Sequence, residues 1–236
     1  MRDSGKCFVA EFLGTFTLVF IGAGAGTMAD QHKFGILGVA LAHGLALLVI
    51  AYAWGSISGA HVNPAITASL ALTGKIPWGK AAAYWVAQFA AAGVAAYTLK
   101  FLLAEYFHNA GIESSYGSTI GVFTQGLDEN AIRVVVLEGI LTFFLAIAVF
   151  ASGVEGKNGN AAGLAIGLVL TMDILVGGSL TGASMNPART FGPALVVGDF
   201  SYLWMYIVGP TIGACLAGLV YNGLFLVSPQ TEKKKK

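Results

Sequence analysis

Apolar residues run along this chain in long blocks separated by short polar or glycine-rich joints. Five or six of the blocks reach roughly 18 to 25 residues, enough for a helix to cross a hydrocarbon layer about 30 Å thick. We place them at Phe8 to Met28, Ile36 to Trp54, Ala81 to Leu103, Ala131 to Ser152, Ala161 to Gly178 and Leu203 to Val227. Two further apolar runs, Ile66 to Leu72 and Arg189 to Val196, are too short to span but long enough for about two or three helical turns. Each follows an Asn-Pro-Ala triplet, Asn63-Pro64-Ala65 and Asn186-Pro187-Ala188. The pattern predicts an all-α membrane protein: six transmembrane helices plus two re-entrant half-helices, with residues 1–236 forming one membrane domain.

Composition agrees, since 56% of residues are hydrophobic and 11% charged, the reverse of what a water-facing surface requires. Arg2 and Lys6 precede the first block as in a signal peptide. Its length, the embedded Glu11 and the lack of a cleavage site followed by a polar domain make it a span instead. Cys7 and Cys215 lie near the start of the first span and inside the last, and suggest neither a disulfide framework nor a metal site. Gly22, Gly24 and Gly26 loosely match a dinucleotide fingerprint, but no strand-turn-helix context surrounds them. They are read as packing residues that let helices approach closely.

Basic residues set the expected orientation: Arg2, Lys6, Lys75, Lys80, Lys157 and the run Lys233 to Lys236 share the side reached by both termini, which is predicted to be cytoplasmic. Lys33, Arg133 and the more acidic loop from Glu105 to Glu129 lie opposite. Tyr84, Trp85, Tyr202, Trp204 and Tyr206 fall near span ends and read as interfacial anchors.

The chain is also a duplicate. An offset of 123 sets residues 57–65 over residues 180–188 with five identities in nine, and an offset of 127 sets Glu11 and Thr15 over Glu138 and Thr142. The repeats run about 8–103 and 131–227. Three spans per half is an odd number, so the second half enters the membrane from the opposite side. Inverted repeats place matching broken helices face to face near the bilayer midplane.

Asn is a favoured helix cap and Pro a favoured first helical residue, so both triplets are helix starts on chemical grounds. Each start carries roughly half a positive elementary charge, and two converging starts form a barrier to cations. If capping aims each Asn amide into a shared pore, the two donors orient a passing water through its oxygen, and that water cannot relay a proton.

The paired triplets, their small-residue approaches and their symmetric placement among the spans make the whole chain resemble the aquaporin family. The resemblance implies a passive channel for water and small neutral solutes, with one pore per chain, in a homotetramer embedded in the cell membrane. It implies no cofactor, no nucleic-acid partner and no enzymatic chemistry. By the family's spacing the constriction is formed by His43, 20 residues before Asn63; Ile174 and Ala183, 12 and three residues before Asn186; and Arg189 after the second triplet. Buried His43 and Arg189 are functional candidates by default, and Arg189 nearby disfavours a charged His43. Water-selective members usually carry Phe and His at the first two positions. The His-Ile-Ala-Arg set here looks more like plant vacuolar-membrane aquaporins, as does Asp173-Ile174-Leu175-Val176-Gly177-Gly178, and members of that kind often pass ammonia or urea. Thr190 after Arg189 and the short connection to Leu203 depart from the pattern of glycerol facilitators.

Glu11 and Glu138 are expected to accept hydrogen bonds from the re-entrant loops, the role the resemblance implies, rather than relay protons. Asp173 has no assigned role. His61 is expected to line the cytoplasmic entrance and not to bind metal, because no ligand set surrounds it. A glycerol channel and, supported by the buried carboxylates alone, a proton-coupled transporter are the competing functions.

Overall fold

The computed structural model describes residues 2–32, 34–111, 114–124 and 127–226. Lys33, Val227 and Lys233 to Lys236 lie outside them. Eight α-helices follow in order: α1 (Arg2–His32), α2 (Gly35–Trp54), α3 (Pro64–Leu72), α4 (Trp78–Ala110), α5 (Leu127–Val149), α6 (Ala162–Thr181), α7 (Pro187–Val197) and α8 (Leu203–Val220). Six are long and apolar enough to cross a membrane, and no strand occurs among the described residues. α1 and α4 run several residues past their predicted ends. α5 and α8 each finish in a π-helical turn, Phe150–Val154 and Tyr221–Phe225, which lie side by side with the Phe150 and Tyr221 rings 6.1 Å apart.

The short helices begin where the sequence predicts. Asn63 and Asn186 are extended N-caps whose side chains accept from the backbone N–H groups of Ala65 and Ala188, and proline opens each helix. Three carbons of ring at Pro64 and Pro187 remove a donor that the first helical turn could not have satisfied at this depth.

The two halves are interleaved. α2 packs on α6, while α3 of the first half packs on α8 and α7 of the second half packs on α4. Ser69 Oγ of α3 donates to the Ala214 carbonyl of α8 at 2.6 Å. At the repeat-related contact, a methyl on Gly192 of α7 would stand 2.5 Å from the Ala92 carbonyl oxygen of α4. The α2–α6 crossing is symmetric as well: a methyl on Gly44 would sit 2.6 Å from the Gly167 carbonyl oxygen, and one on Gly167 2.5 Å from that of Gly44. Lipid supplies no hydrophobic drive between helices, so such backbone-to-backbone approach is what holds them. The outer faces remain apolar, with Leu37, Leu41, Leu45 and Val49 exposed along α2 and Val86, Val94 and Phe101 along α4.

Gly167→Val should therefore wedge the central crossing and cost about 1–3 kcal/mol. A lowered melting temperature of the purified protein in detergent checks this. An unchanged melting temperature would show that the crossing is not a close packing point.

Candidate functional site: a pore between two opposed helix starts

The site is built from two loops at membrane depth, residues 55–63 and 182–186. Water cannot satisfy their amides there, so the protein must. Both loops use left-handed backbone at repeat-related positions: Gly59 (φ 95°) and Gly182 (83°), Ala60 (49°) and Ala183 (41°), Val62 (44°) and Met185 (52°). A non-glycine residue in this region costs about 1–3 kcal/mol, and the β-branched Val62 is disfavoured most.

What the strained turns achieve is to aim successive N–H groups at one carboxylate. Glu11 of α1 accepts from the backbone N–H of His61 (2.9 Å) and of Val62 (2.7 Å), from Ser58 Oγ (2.7 Å) and from Gln88 Nε2 (2.8 Å). Glu138 of α5 accepts from the backbone N–H of Ser184 (3.0 Å) and of Met185 (2.7 Å) and from Thr181 Oγ1 (2.7 Å). Both carboxylates are wholly buried. Leaving a buried amide without an acceptor costs about 1–3 kcal/mol, so satisfying two in each loop is enough to offset the strain.

Tyr84 and Tyr206 finish the scaffold and correct an expectation from the sequence. They are not interfacial anchors: both are buried, and their hydroxyls donate to the carbonyls of Ser58 and Thr181. Trp85 likewise turns inward, donating from Nε1 to the Pro64 carbonyl at 3.1 Å. Trp204 does stay exposed. The two tyrosines are 122 residues apart, so the repeat carried a signal that would have separated them from the other aromatics.

The triplets meet. Asn63 Nδ2 donates to the Met185 carbonyl at 2.7 Å, and Asn186 Nδ2 donates to the Val62 carbonyl at 2.8 Å. Each Asn thus caps its own helix with its oxygen and ties itself to the opposite loop with its amide. The amide's second N–H is left for the cavity that both residues line.

That cavity has a volume of about 640 Å³. It opens between Lys75, Ile76, Val154 and Asn160, passes His61, Asn63 and Asn186, and reaches His43 and Arg189. At its mouth Lys157 Nζ lies 2.8 Å from Glu155 Oε2, and Tyr221 also donates to Glu155. The hydrogen bond from Lys157 holds the Glu155 carboxyl below its ordinary range.

His43 is buried, its Nδ1 2.9 Å from the Val39 carbonyl and its Nε2 without a partner among the described residues. Gly22 makes room for this ring, because a methyl there would overlap the imidazole at Nε2. Arg189 is buried too: Nη1 donates to the Gly117 carbonyl at 2.6 Å, and Nε has no partner among the described residues. Ile174 and Ala183 are buried in one apolar cluster with Leu141 and Leu170, outside the lining of this cavity. Ala183 fits there because Gly177 leaves space, a methyl on which would approach it to 3.2 Å. Asp173 is buried with Oδ2 unpartnered, also outside the lining.

Sequence reasoning missed the loop between α4 and α5. Gly117 in that loop holds Arg189, Thr119 donates to Thr190 Oγ1 at 3.2 Å, and the Thr119 carbonyl accepts from Tyr206 at 3.1 Å. No motif or repeat partner marks these residues. Around His61, no group of three or more His, Cys, Asp or Glu side chains among the described residues could hold a metal ion.

Six apolar spans around two opposed helix starts and a cavity between them define a membrane channel with a duplicated pore. Residues 2–221 match the major intrinsic protein family, and the chain belongs to that family, the aquaporins. It is 39% identical to Aquaporin TIP1-2 of Zea mays over 95% of this chain and 87% of that protein. It is 38% identical to Aquaporin NIP1-1 of Zea mays over 91% of this chain and 73% of that one. Among solved structures it resembles the aquaglyceroporin from Plasmodium falciparum, with a TM-score of 0.79 at 26% identity, covering 98% and 99% of the two chains.

Glu138→Gln should turn an NH₂ group toward one of the two loop amides, costing about 2–3 kcal/mol. Melting temperature and water flux per molecule should fall together. A variant that melts and conducts like the parent would show that the carboxylate does not hold the loop.

Proposed function

We propose that this multi-pass membrane channel conducts water first and ammonia second, excludes ions and protons, and needs no cofactor. The reading rests on one observation: the reciprocal bonds from Asn63 to Met185 and from Asn186 to Val62 hold two positive helix starts against a single cavity. A hydronium or metal cation meets those dipoles and the Arg189 guanidinium with no Asp or Glu among the described residues that line the cavity. A neutral molecule meets the second N–H of both Asn amides and the side chains of His43 and Arg189, which line the cavity. Donors and acceptors placed along a narrow path are how such pores replace hydration while barring charge.

We assign the constriction to His43 and Arg189 in the cavity lining, with Ile174 and Ala183 in the apolar cluster beside it. Ile174 offers no hydrogen bond there, and on that residue rests ammonia as the second permeant. Glu11 and Glu138 are structural in this reading, since their lone pairs are taken up by loop donors. The chain works as one pore in a homotetramer, with both termini cytoplasmic, in the cell membrane. Glycerol conduction is the second reading, favoured by the likeness to the solved aquaglyceroporin.

Purified protein in liposomes decides between them. Osmotic shrinkage followed by stopped-flow light scattering should be fast. Internal alkalinisation on an ammonia pulse should exceed that of empty vesicles, and glycerol re-swelling should stay near that of empty vesicles. Rapid glycerol uptake with slow water flux would overturn the ranking, and uphill solute accumulation driven by a proton gradient would overturn the channel itself. Arg189→Val, which removes the side chain narrowing the path, should raise glycerol uptake by about tenfold, equivalent to ~1.4 kcal/mol, without abolishing water flux. Unchanged glycerol uptake would place the constriction elsewhere.

A further inference from the structure

Two histidines line the cavity, and their hydrogen-bond partners define which nitrogen of each carries the proton. For His43 the partner of Nδ1 is the Val39 carbonyl at 2.9 Å, which only accepts. Nδ1 is therefore the N–H, and Nε2 is an acceptor.

For His61 the partner of Nδ1 is Thr67 Oγ1 at 3.1 Å, a group that can donate or accept. The ambiguity is resolved two bonds away. Glu11 already receives three donors besides Gln88 and acts as an acceptor throughout, so the Gln88 atom 2.8 Å from it is the NH₂ nitrogen. That orientation leaves Gln88 Oε1 buried without a partner, so the donors fix it. The same nitrogen lies 3.1 Å from Thr67 Oγ1 and donates there. Thr67 has one hydroxyl proton, and His61 Nδ1 is the only other hydrogen-bond partner of that hydroxyl among the described residues. It goes to His61, leaving the ring's proton on Nε2, which lies beside Gly59 and has no hydrogen-bond partner among the described residues.

The second half of the molecule repeats this wiring at the offset of 123. Ser184 stands at the place of His61 and Thr190 at that of Thr67. Ser184 Oγ donates to the Asn186 carbonyl at 2.9 Å, so at its 2.6 Å contact with Thr190 it accepts. Thr119 in turn donates to Thr190 at 3.2 Å, in the place of Gln88. Both relays run from a flanking donor through a helix threonine to a loop residue. The second ends on a backbone carbonyl; the first ends on a ring whose far nitrogen faces the cavity.

We propose that His61 is a second specificity-determining residue, an obligate N–H donor on the inner side of the Asn pair, and that Gln88 and Thr67 are positioning residues that fix its tautomer. The pore then presents a donor at His61 Nε2 on the inner side of the Asn pair, whereas the acceptor nitrogen of His43 is turned toward Gly22 of α1. A permeant is read at His61 through a lone pair it presents. Small neutral molecules carrying one, such as water and ammonia, fit this donor. The consequence for flux rests on the channel reading above; the tautomer assignment does not.

The experiment is solid-state NMR of ¹⁵N-histidine-labelled protein in lipid bilayers, with the His61 signals identified by their loss in His61→Asn. The expected result is a proton on Nε2 of His61 and on Nδ1 of His43. Thr67→Val should shift His61 toward the Nδ1 tautomer and lower water flux by about fivefold, the worth of one hydrogen bond, while Thr67→Ser keeps both parental values. A proton on Nδ1 of His61 in the parent overturns the proposal even if Thr67→Val does not fold. A shifted tautomer with unaltered flux overturns the specificity role. Parent protein that conducts no water but shows the expected tautomers would sink the channel reading and the flux consequence, and leave the tautomer assignment standing.

Discussion

Backbone amides stranded at membrane depth are the constraint around which this molecule is organised. Two loops must run through the middle of the bilayer to bring helix starts together, and no water reaches their N–H groups from the lipid side. Glu11 and Glu138, each a carboxyl group inside an apolar span, become favourable because they accept those amides. Carboxyl and loop justify one another: the buried acceptor needs donors to be tolerated in lipid, and the left-handed turns at Val62 and Met185 need a strong acceptor to be held.

From that follows the geometry of the pore. Once the loops are fixed, Asn63 and Asn186 can cap their helices and still reach across to the opposite loop, so the midpoint of the path is formed jointly by both halves. Arg189 rests on the same logic from the other side, its guanidinium held by the Gly117 carbonyl and its Nε kept free of protein partners. His43 and Arg189 each keep a nitrogen without a partner among the described residues, and a buried polar atom is expensive unless something uses it.

Much of this was legible in the sequence because it depends on covalent and periodic facts. Block length gave the spans, Asn-Pro gave the starts of α3 and α7, and the 123-residue offset paired the loops. What could not be read was pairing through space without a repeat partner. Gly117 and Thr119 lie in a connecting loop of no distinctive composition, and only the folded chain brings them to Arg189 and Thr190. Tyr84 and Tyr206 were misread for a different reason. Aromatics near span ends satisfy the interfacial pattern whether they face lipid headgroups or a buried carbonyl, and only burial separates the two. Ile174 and Ala183 pack in the apolar cluster rather than in the wall of the cavity that reaches His43.

The interleaving of the halves has a bearing on synthesis. α3 finds its main support on α8, the last of the described α-helices, through Ser69 and Ala214. As the polypeptide emerges, α1 and α4 can hold the loop before the first re-entrant helix, but the far side of that helix stays uncovered until α8 is inserted. The conducting path therefore closes around itself only once α8 is in place, and a chain broken before α8 carries the first triplet without the surface that would complete the seat of its helix. A nascent or broken copy is thereby kept from becoming half a hole in the membrane.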